Sequence, residues 1–380
     1  MNPMKLPKLA LVKQIIVSPV LEDVASKVAQ ELNVILSGKK IAPGARIAIT
    51  AGSRGIKDIV VVLKTIVAKL KEMQAVPFIV PAMGSHGGAT AEGQIVVLEH
   101  LGVTESSIDA PICSSMEVTE VGVTESGIPV FVDKMAAEAD GIIVVNRIKP
   151  HTEFEGQIES GLMKMMVIGL GKHRGATMAH RYAIRLGYEK VITEIARTVM
   201  AKLPVLGGLA IVENAYDQTA MLQGLQVHQL EEKEKYLLKQ AKKLMARLPF
   251  QELDVLLIDQ IGKEISGTGM DTNVTGRILS PFENDPLYPR IIRIVAFDLT
   301  EATNGSAVGV GLADFTTRRL FEKINFQATY INSITGGVLE KAKIPIICEN
   351  DREAVEYALN TCGPVNYQEV KLVRVKNTLE

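Results

Sequence analysis

The sequence predicts an α/β protein: two α/β domains with mostly parallel sheets and a cofactor cleft between them. Short apolar runs rich in Val and Ile alternate with longer stretches whose apolar residues recur at helical spacing. The short runs are unbroken by polar residues, as expected of strands buried on both faces of a parallel sheet. Several of them end in glycine-rich loops, the position where open parallel sheets bind ligands.

Along the chain, Leu21–Leu36 has helical periodicity, Arg46–Thr50 reads as a strand ending in the loop AGSRG, and Ile56–Met73 reads as a helix. Pro77–Pro81 is a second strand, followed by AMGSHGGAT and a helix beginning near Thr90, a good N-cap residue. Ile128–Val132 and Gly141–Val145 are further strands, the latter ending in NRIKPH. A helix-rich region follows from about Gly156 to Ala201, then a strand at Gly208–Val212 and a charged amphipathic helix at Leu230–Leu248. A chain of 380 residues is long enough for two domains. The split is expected between 1–250, an N-terminal cofactor-binding catalytic domain, and 251–380, a C-terminal domain closing over the substrate. Strands at Asp254–Asp259 and Ile291–Phe297 and helices over 315–324 and 352–361 build the second domain, and a last strand near Val370–Val375 has the option of packing back onto the first.

Composition narrows the function. Apolar residues make up 47% and charged residues 22%, the profile of a globular protein. A net charge of -1 argues against a nucleic-acid or anionic-membrane partner, which would favour a basic face, and leaves room for a local basic pocket for a small anion. No apolar run reaches the length of a membrane span, and the lysines within MNPMKLPKLALVKQ argue against a signal peptide. Cys113, Cys348 and Cys362 are odd in number and lack C-x-x-C spacing, so neither a disulfide framework nor a zinc knuckle is indicated. A cytoplasmic location is expected.

The candidate chemistry lies in three strand-end loops, which together hold Arg54, His86, Arg147, Lys149 and His151. Glycines allow close approach of a backbone to an anion, and a following helix offers free N–H groups. His86 and His151 each follow a strand, and imidazole exchanges protons near neutral pH. A third element, ESGLMKMMVIGLGKHRGATMAH, contains Lys164, Lys172, His173 and His180. A lysine in so apolar a run as that around Lys164 costs free energy unless paired or used, which makes it more interesting than Lys172 in its polar GKHRG turn. His100, His173 and His228 read as structural. In the second domain, Gln260 and Lys263 follow a strand, where Lys263 can grip a carboxylate and Asp271 and Asn273 can order the loop.

Taken together, AMGSHGGAT, KPHTEFEGQ, Lys164 and His180 resemble the lactate racemase family, whose members use a nickel-pincer nucleotide. The resemblance covers most of the chain, with matches clustered in 50–180 and 254–277. It implies catalytic histidines at His86, in Gly84-Ser85-His86-Gly87, and at His151, which opens a stretch to Gly156 one residue longer than the family's. It implies that Lys164 is the lysine that can join the cofactor, followed by Gly169 and by the nickel ligand His180 at the family's spacings of five and sixteen residues. Ser53, Arg54, Ser85, Gly87 and Gly88 are the implied cofactor contacts, and Gln260 and Lys263 the implied substrate contacts. The family's G-G-P-K is Gly161-Leu162-Met163-Lys164 here, and its D-x-x-R loop is Ala51-Gly52-Ser53-Arg54.

The activity so implied is racemisation or epimerisation of a small-molecule 2-hydroxy acid at C2. Hydride transfer to the nickel-pincer nucleotide gives a 2-keto acid, while the two histidines handle the hydroxyl proton on opposite faces. Such a protein depends on cofactor-synthesis enzymes and is compatible with a homo-oligomer. An NAD-type oxidoreductase is the alternative enzyme class, disfavoured by the lack of a G-x-G-x-x-G turn. A non-catalytic nucleotide- or phosphate-binding protein is the alternative outside catalysis.

Overall fold

The computed structural model describes residues 6–16, 18–363, 366 and 369–379. The chain forms two compact units: Val17–Pro150 with Gly156–Met245, and Ala246–Glu380 with Met1–Ile16 and His151–Glu155. Unlike a simple 1–250 and 251–380 division, the short segment that begins at His151 groups with the C-terminal unit.

The first unit is built on a five-stranded sheet. Its strands are β1 (Arg46–Ala51), β2 (Val76–Pro81), β5 (Gly141–Arg147), β6 (Val205–Glu213) and β7 (Thr219–Gln226), in the order β2-β1-β5-β6-β7. All neighbours are parallel except the β6–β7 pair. Strand periodicity divides the side chains between two faces. Ile47 and Ile49 of β1 and Ile143 and Val145 of β5 enter one core with Leu32 and Ile35 of the helix Val24–Leu36 and Leu63 and Ile66 of the helix Ile59–Glu72. Ile142 and Val144, also fully buried, point to the other side.

Two expectations for this unit need correcting. The strand at 128–132 is present as β4 (Pro129–Asp133) but lies outside the main sheet, in an antiparallel pair with β3 (Val118–Val123). The edge strand β7 was not foreseen: its sequence TAMLQGLQ mixes polar and apolar residues because one edge strand need not be buried throughout. The turn before it, with Asp217 at φ 54, was the available signal.

The C-terminal unit is a fully parallel sheet of β8 (Glu252–Ile261), β9 (Arg290–Leu299), β10 (Phe315–Thr317), β11 (Ile346–Cys348) and β12 (Leu372–Val375), ordered β11-β10-β9-β8-β12. Both faces are covered. Leu256, Ile258, Ile294 and Ala296 pack on one side, and Val255, Leu257, Val295 and Phe297 on the other. The last strand pairs with β8, so it does not return to the first unit's sheet. The expected helix over 315–324 begins as β10, and only Arg318–Glu322 is helical. A three-residue strand is too short to show a period. What holds it is tertiary: the hydroxyls of Thr316 and Thr317 donate to the carbonyls of Ala296 and Phe297 at 2.9 and 2.6 Å.

The first unit's core depends on close packing of branched aliphatic side chains. Leu63→Ala, at a fully buried position, is expected to lower stability by about 2–5 kcal/mol in urea denaturation followed by circular dichroism.

Candidate active site

Because β1, β2 and β5 are parallel, their carboxyl ends lie on one edge of the first sheet. Ser53 and Arg54 follow β1, His86 follows β2, and the chain leaving β5 leads to His151. Ser53 Oγ and His86 Nδ1 are 2.6 Å apart, a hydrogen bond whose direction depends on the imidazole tautomer. Arg54 and His86 are exposed, whereas Ser53, Ser85 and Gly87 are half-buried. Gly88 is exposed. Arg147 is ion-paired with Glu213, which also accepts from the Lys57 N–H at 2.9 Å, so its charge is committed within the first unit.

The His86 loop is folded tightly. Gly87, at φ 67, lies where a Cβ would meet the Gly93 carbonyl carbon at 2.5 Å and the Gln94 nitrogen at 2.6 Å. Only glycine meets both the conformational and the spatial demand. Thr90 begins the helix Ala91–His100 as expected, its hydroxyl accepting from the Gly93 N–H at 3.0 Å. Gln94 turns inward from this helix and is fully buried. Its Nε2 donates to the Gly84 carbonyl at 2.9 Å and to the His86 carbonyl at 3.4 Å, and its Oε1 accepts from Lys172 Nζ at 2.9 Å.

Lys172 corrects the ranking of the two lysines. It is fully buried, although its neighbours His173 and Arg174 are exposed, and Lys164 is half-buried. Its ammonium also donates to the Pro81 carbonyl and lies 3.3 Å from Asp133 Oδ2. Burial pushes the Lys172 amine below the ordinary lysine range and the Asp133 carboxyl above the ordinary carboxylate range, while each charge opposes the other's shift. A polar sequence turn gave no sign of this, because its acceptors come from β2, β4 and the helix after the His86 loop.

Lys164 ends the short helix Leu162–Lys164, and Met165–Gly169 continues it as a π-helical turn. Such turns often mark functional segments. The turn lies against the His86 loop: the Gly84 N–H donates to the Gly169 carbonyl at 3.3 Å, and a Cβ on Gly169 would come within 2.8 Å of the Ala82 carbonyl oxygen. Gly52 likewise faces Met165 Cε. His180 is half-buried on the following helix, Lys172–Leu186, with its ring edge-on to Tyr188 at 5.9 Å.

Glu234 was missed by sequence reasoning, where it is one of many charges in EEKEK. It is fully buried and accepts from the Met163 N–H at 3.0 Å. A Cβ on Gly161 would meet its Oε1 at 2.3 Å, and the Gly161 carbonyl accepts from Asn146 Nδ2 at 2.9 Å. The N-terminal end of the Lys164 helix is thus clamped from both sides.

In the C-terminal unit, His151 Nδ1 accepts from the Glu153 N–H at 3.1 Å and its ring stacks on Phe154 at 4.5 Å. The neutral imidazole therefore carries its proton on Nε2. Asn273 Nδ2 donates to the His151 carbonyl at 3.2 Å and to Asp271 Oδ1 at 3.0 Å, so the Asp271–Asn273 loop orders the histidine's own backbone. Thr272 Oγ1 donates to the Thr152 carbonyl at 2.8 Å, and buried Lys341 reaches the same oxygen at 3.4 Å. Lys263 Nζ donates to Asn332 Oδ1 at 3.2 Å, and Gln260 is half-buried at the end of β8.

Among the described residues, no three or more His, Cys, Asp and Glu side chains gather as a metal cage. The donors on adjoining elements are one imidazole, His180, and one amine, Lys164, beside backbone brought close at Gly52, Gly84 and Gly169.

Burial raises the Glu234 carboxyl to about 7. The native state therefore holds its proton between the unfolded value of 4.5 and about 7, and stability falls as pH rises through that interval. The wild type is expected to lose up to about 3 kcal/mol from this group between pH 5 and pH 8. Glu234→Gln should remove that part of the pH dependence in paired urea melts.

The lactate racemase N-terminal domain model matches residues 14–190. No curated protein sequence matches the chain significantly. Among solved structures, the lactate racemase apoprotein from Thermoanaerobacterium thermosaccharolyticum is similar, with a TM-score of 0.56 and 13% identity over 93% of this chain and 91% of that one. At that identity the structural likeness speaks for the fold alone. Residues 14–190, which include the His86 loop and the Lys164 segment, are therefore similar to the lactate racemase N-terminal domain, and the fold of the chain is similar to that of the apoprotein.

Proposed function

We propose that the chain is a racemase or epimerase that inverts C2 of a 2-hydroxy acid with a nickel-pincer nucleotide. The observation that carries this reading is the His86–Ser53 contact, 2.6 Å between two strand-end loops, of which the glycine-rich His86 loop touches the π-helical turn after Lys164. A proton-transferring imidazole is thereby held beside the segment suited to retain a cofactor.

In this reading Lys164 and His180 hold the cofactor, His180 as the nickel ligand, with Ser53, Arg54, Ser85, Gly87 and Gly88 around its charged parts. The chemistry supplied by the bound group is reversible acceptance of the α-hydride. The chain's own residues manage the proton and the charge. His86, oriented by Ser53, and His151, oriented by the Glu153 N–H and Phe154, are the groups assigned to take and return the hydroxyl proton. Gln260 and Lys263 receive the carboxylate. Chemistry of that kind would leave the α-hydrogen unexchanged with solvent.

The test is co-expression with cofactor-making enzymes, followed by a screen of 2-hydroxy acids for epimerisation in deuterated water. Interconversion of enantiomers without α-deuteration is expected; no nickel uptake and no interconversion would sink the proposal. His86→Ala and His151→Ala should each lower kcat about a hundredfold or more. His180→Ala should abolish nickel retention, measured by metal analysis of the purified chain, while leaving the circular dichroism spectrum unchanged.

A further inference from the structure

We propose that Lys172 and Gln94 form a positioning relay that sets the placement of His86. The proposal rests on the racemase reading for the role of His86, but its geometry is independent of that reading. Lys172 stands at the first turn of the helix that carries His180, eight positions before it. It is fully buried, and its backbone is held at φ 52, a left-handed conformation that costs a side-chain-bearing residue free energy. The side chain reaches three acceptors from three elements: the Pro81 carbonyl at the end of β2, Gln94 Oε1 and Asp133 of β4.

Gln94 is what turns this buried charge into a positional constraint on the loop. An amide has one acceptor oxygen and two donor hydrogens. Since Oε1 accepts from the ammonium, the orientation of Nε2 is fixed, and its hydrogens meet the carbonyls of Gly84 and His86. Gly84 and His86 are thereby both tied to one side chain. The ammonium and the two carbonyls thus favour the same amide orientation, and the ammonium adds a third anchor to it. The order of contacts is therefore Lys172, then Gln94, then the backbone of His86. The same ammonium is covalently part of the His180 helix, so one side chain fixes the imidazole loop relative to the helix of the proposed metal ligand. Asp133 balances the charge.

The experiment compares Gln94→Leu, Gln94→Glu and Lys172→Met in the full chain. Gln94→Glu keeps an acceptor for Lys172 but has no donor for the two loop carbonyls. Carbethoxylation of His86 by diethyl pyrocarbonate is followed by peptide mass spectrometry at several pH values, with exposed His100 as internal reference. Both Gln94 variants are expected to change the His86 rate severalfold and to leave His100 unchanged. In cofactor-loaded protein, kcat should fall about tenfold with KM changed less than twofold, since the group acts through His86 rather than on the substrate. If Lys172→Met fails to fold, the Gln94 pair decides. Wild-type His86 reactivity in both Gln94 variants overturns the relay. If His86 reactivity shifts but wild-type protein interconverts no 2-hydroxy acid, the relay stands and the racemase reading falls.

Discussion

The buried ammonium of Lys172 is the constraint on which the functional edge of the first unit depends. A charge removed from water is tolerable only where acceptors surround it. Here those acceptors are contributed by β2, β4 and the helix after the glycine-rich loop, three elements that approach one another only in the folded sheet. Satisfying one cation therefore fixes the exit from β2, the amide of Gln94 and the start of the helix bearing His180 together.

A second buried group plays a similar part on the neighbouring segment. Glu234 is buried against the backbone at Gly161–Met163, where a side chain on Gly161 would collide with it. Asn146, at the end of β5, holds the Gly161 carbonyl from the other direction. Lys164 thus projects from a short helix whose start is fixed by the sheet on one side and the helix Leu230–Leu244 on the other. The π-helical turn that follows then packs against Gly84 and Ala82. Local irregularity is supported here by tertiary contacts, which is how such turns persist.

Much of the frame was legible because it obeys short-range rules. The strands β1, β2, β5, β8 and β9 each contain a short, mainly apolar run, and Thr90 caps its helix through the local hydroxyl-to-backbone bond its sequence announces. The strand-end loops with His86 and Ser53 could be read as site candidates because parallel strands must place their carboxyl ends on one edge. What escaped notice had no periodic signature. The three-residue strand β10 exists through hydrogen bonds to β9, and the mixed sequence of β7 is held by its pairing with β6. The polarity of GKHRG concealed a fully buried lysine, and the charge-rich EEKEK concealed a fully buried glutamate.

By itself, the sequence determined the α/β class, the order of the main strands, the loop positions of His86 and His151, and the spacing of Lys164, Gly169 and His180. Those are properties of hydrophobic period, turn chemistry and covalent distance along the chain. Tertiary structure alone decided that Ser53 meets His86, that Asn273 holds the backbone of His151, and that Lys172 rather than Lys164 is the buried cation. Burial and hydrogen-bond partnership depend on residues distant in sequence, and only the assembled sheets bring those residues into reach.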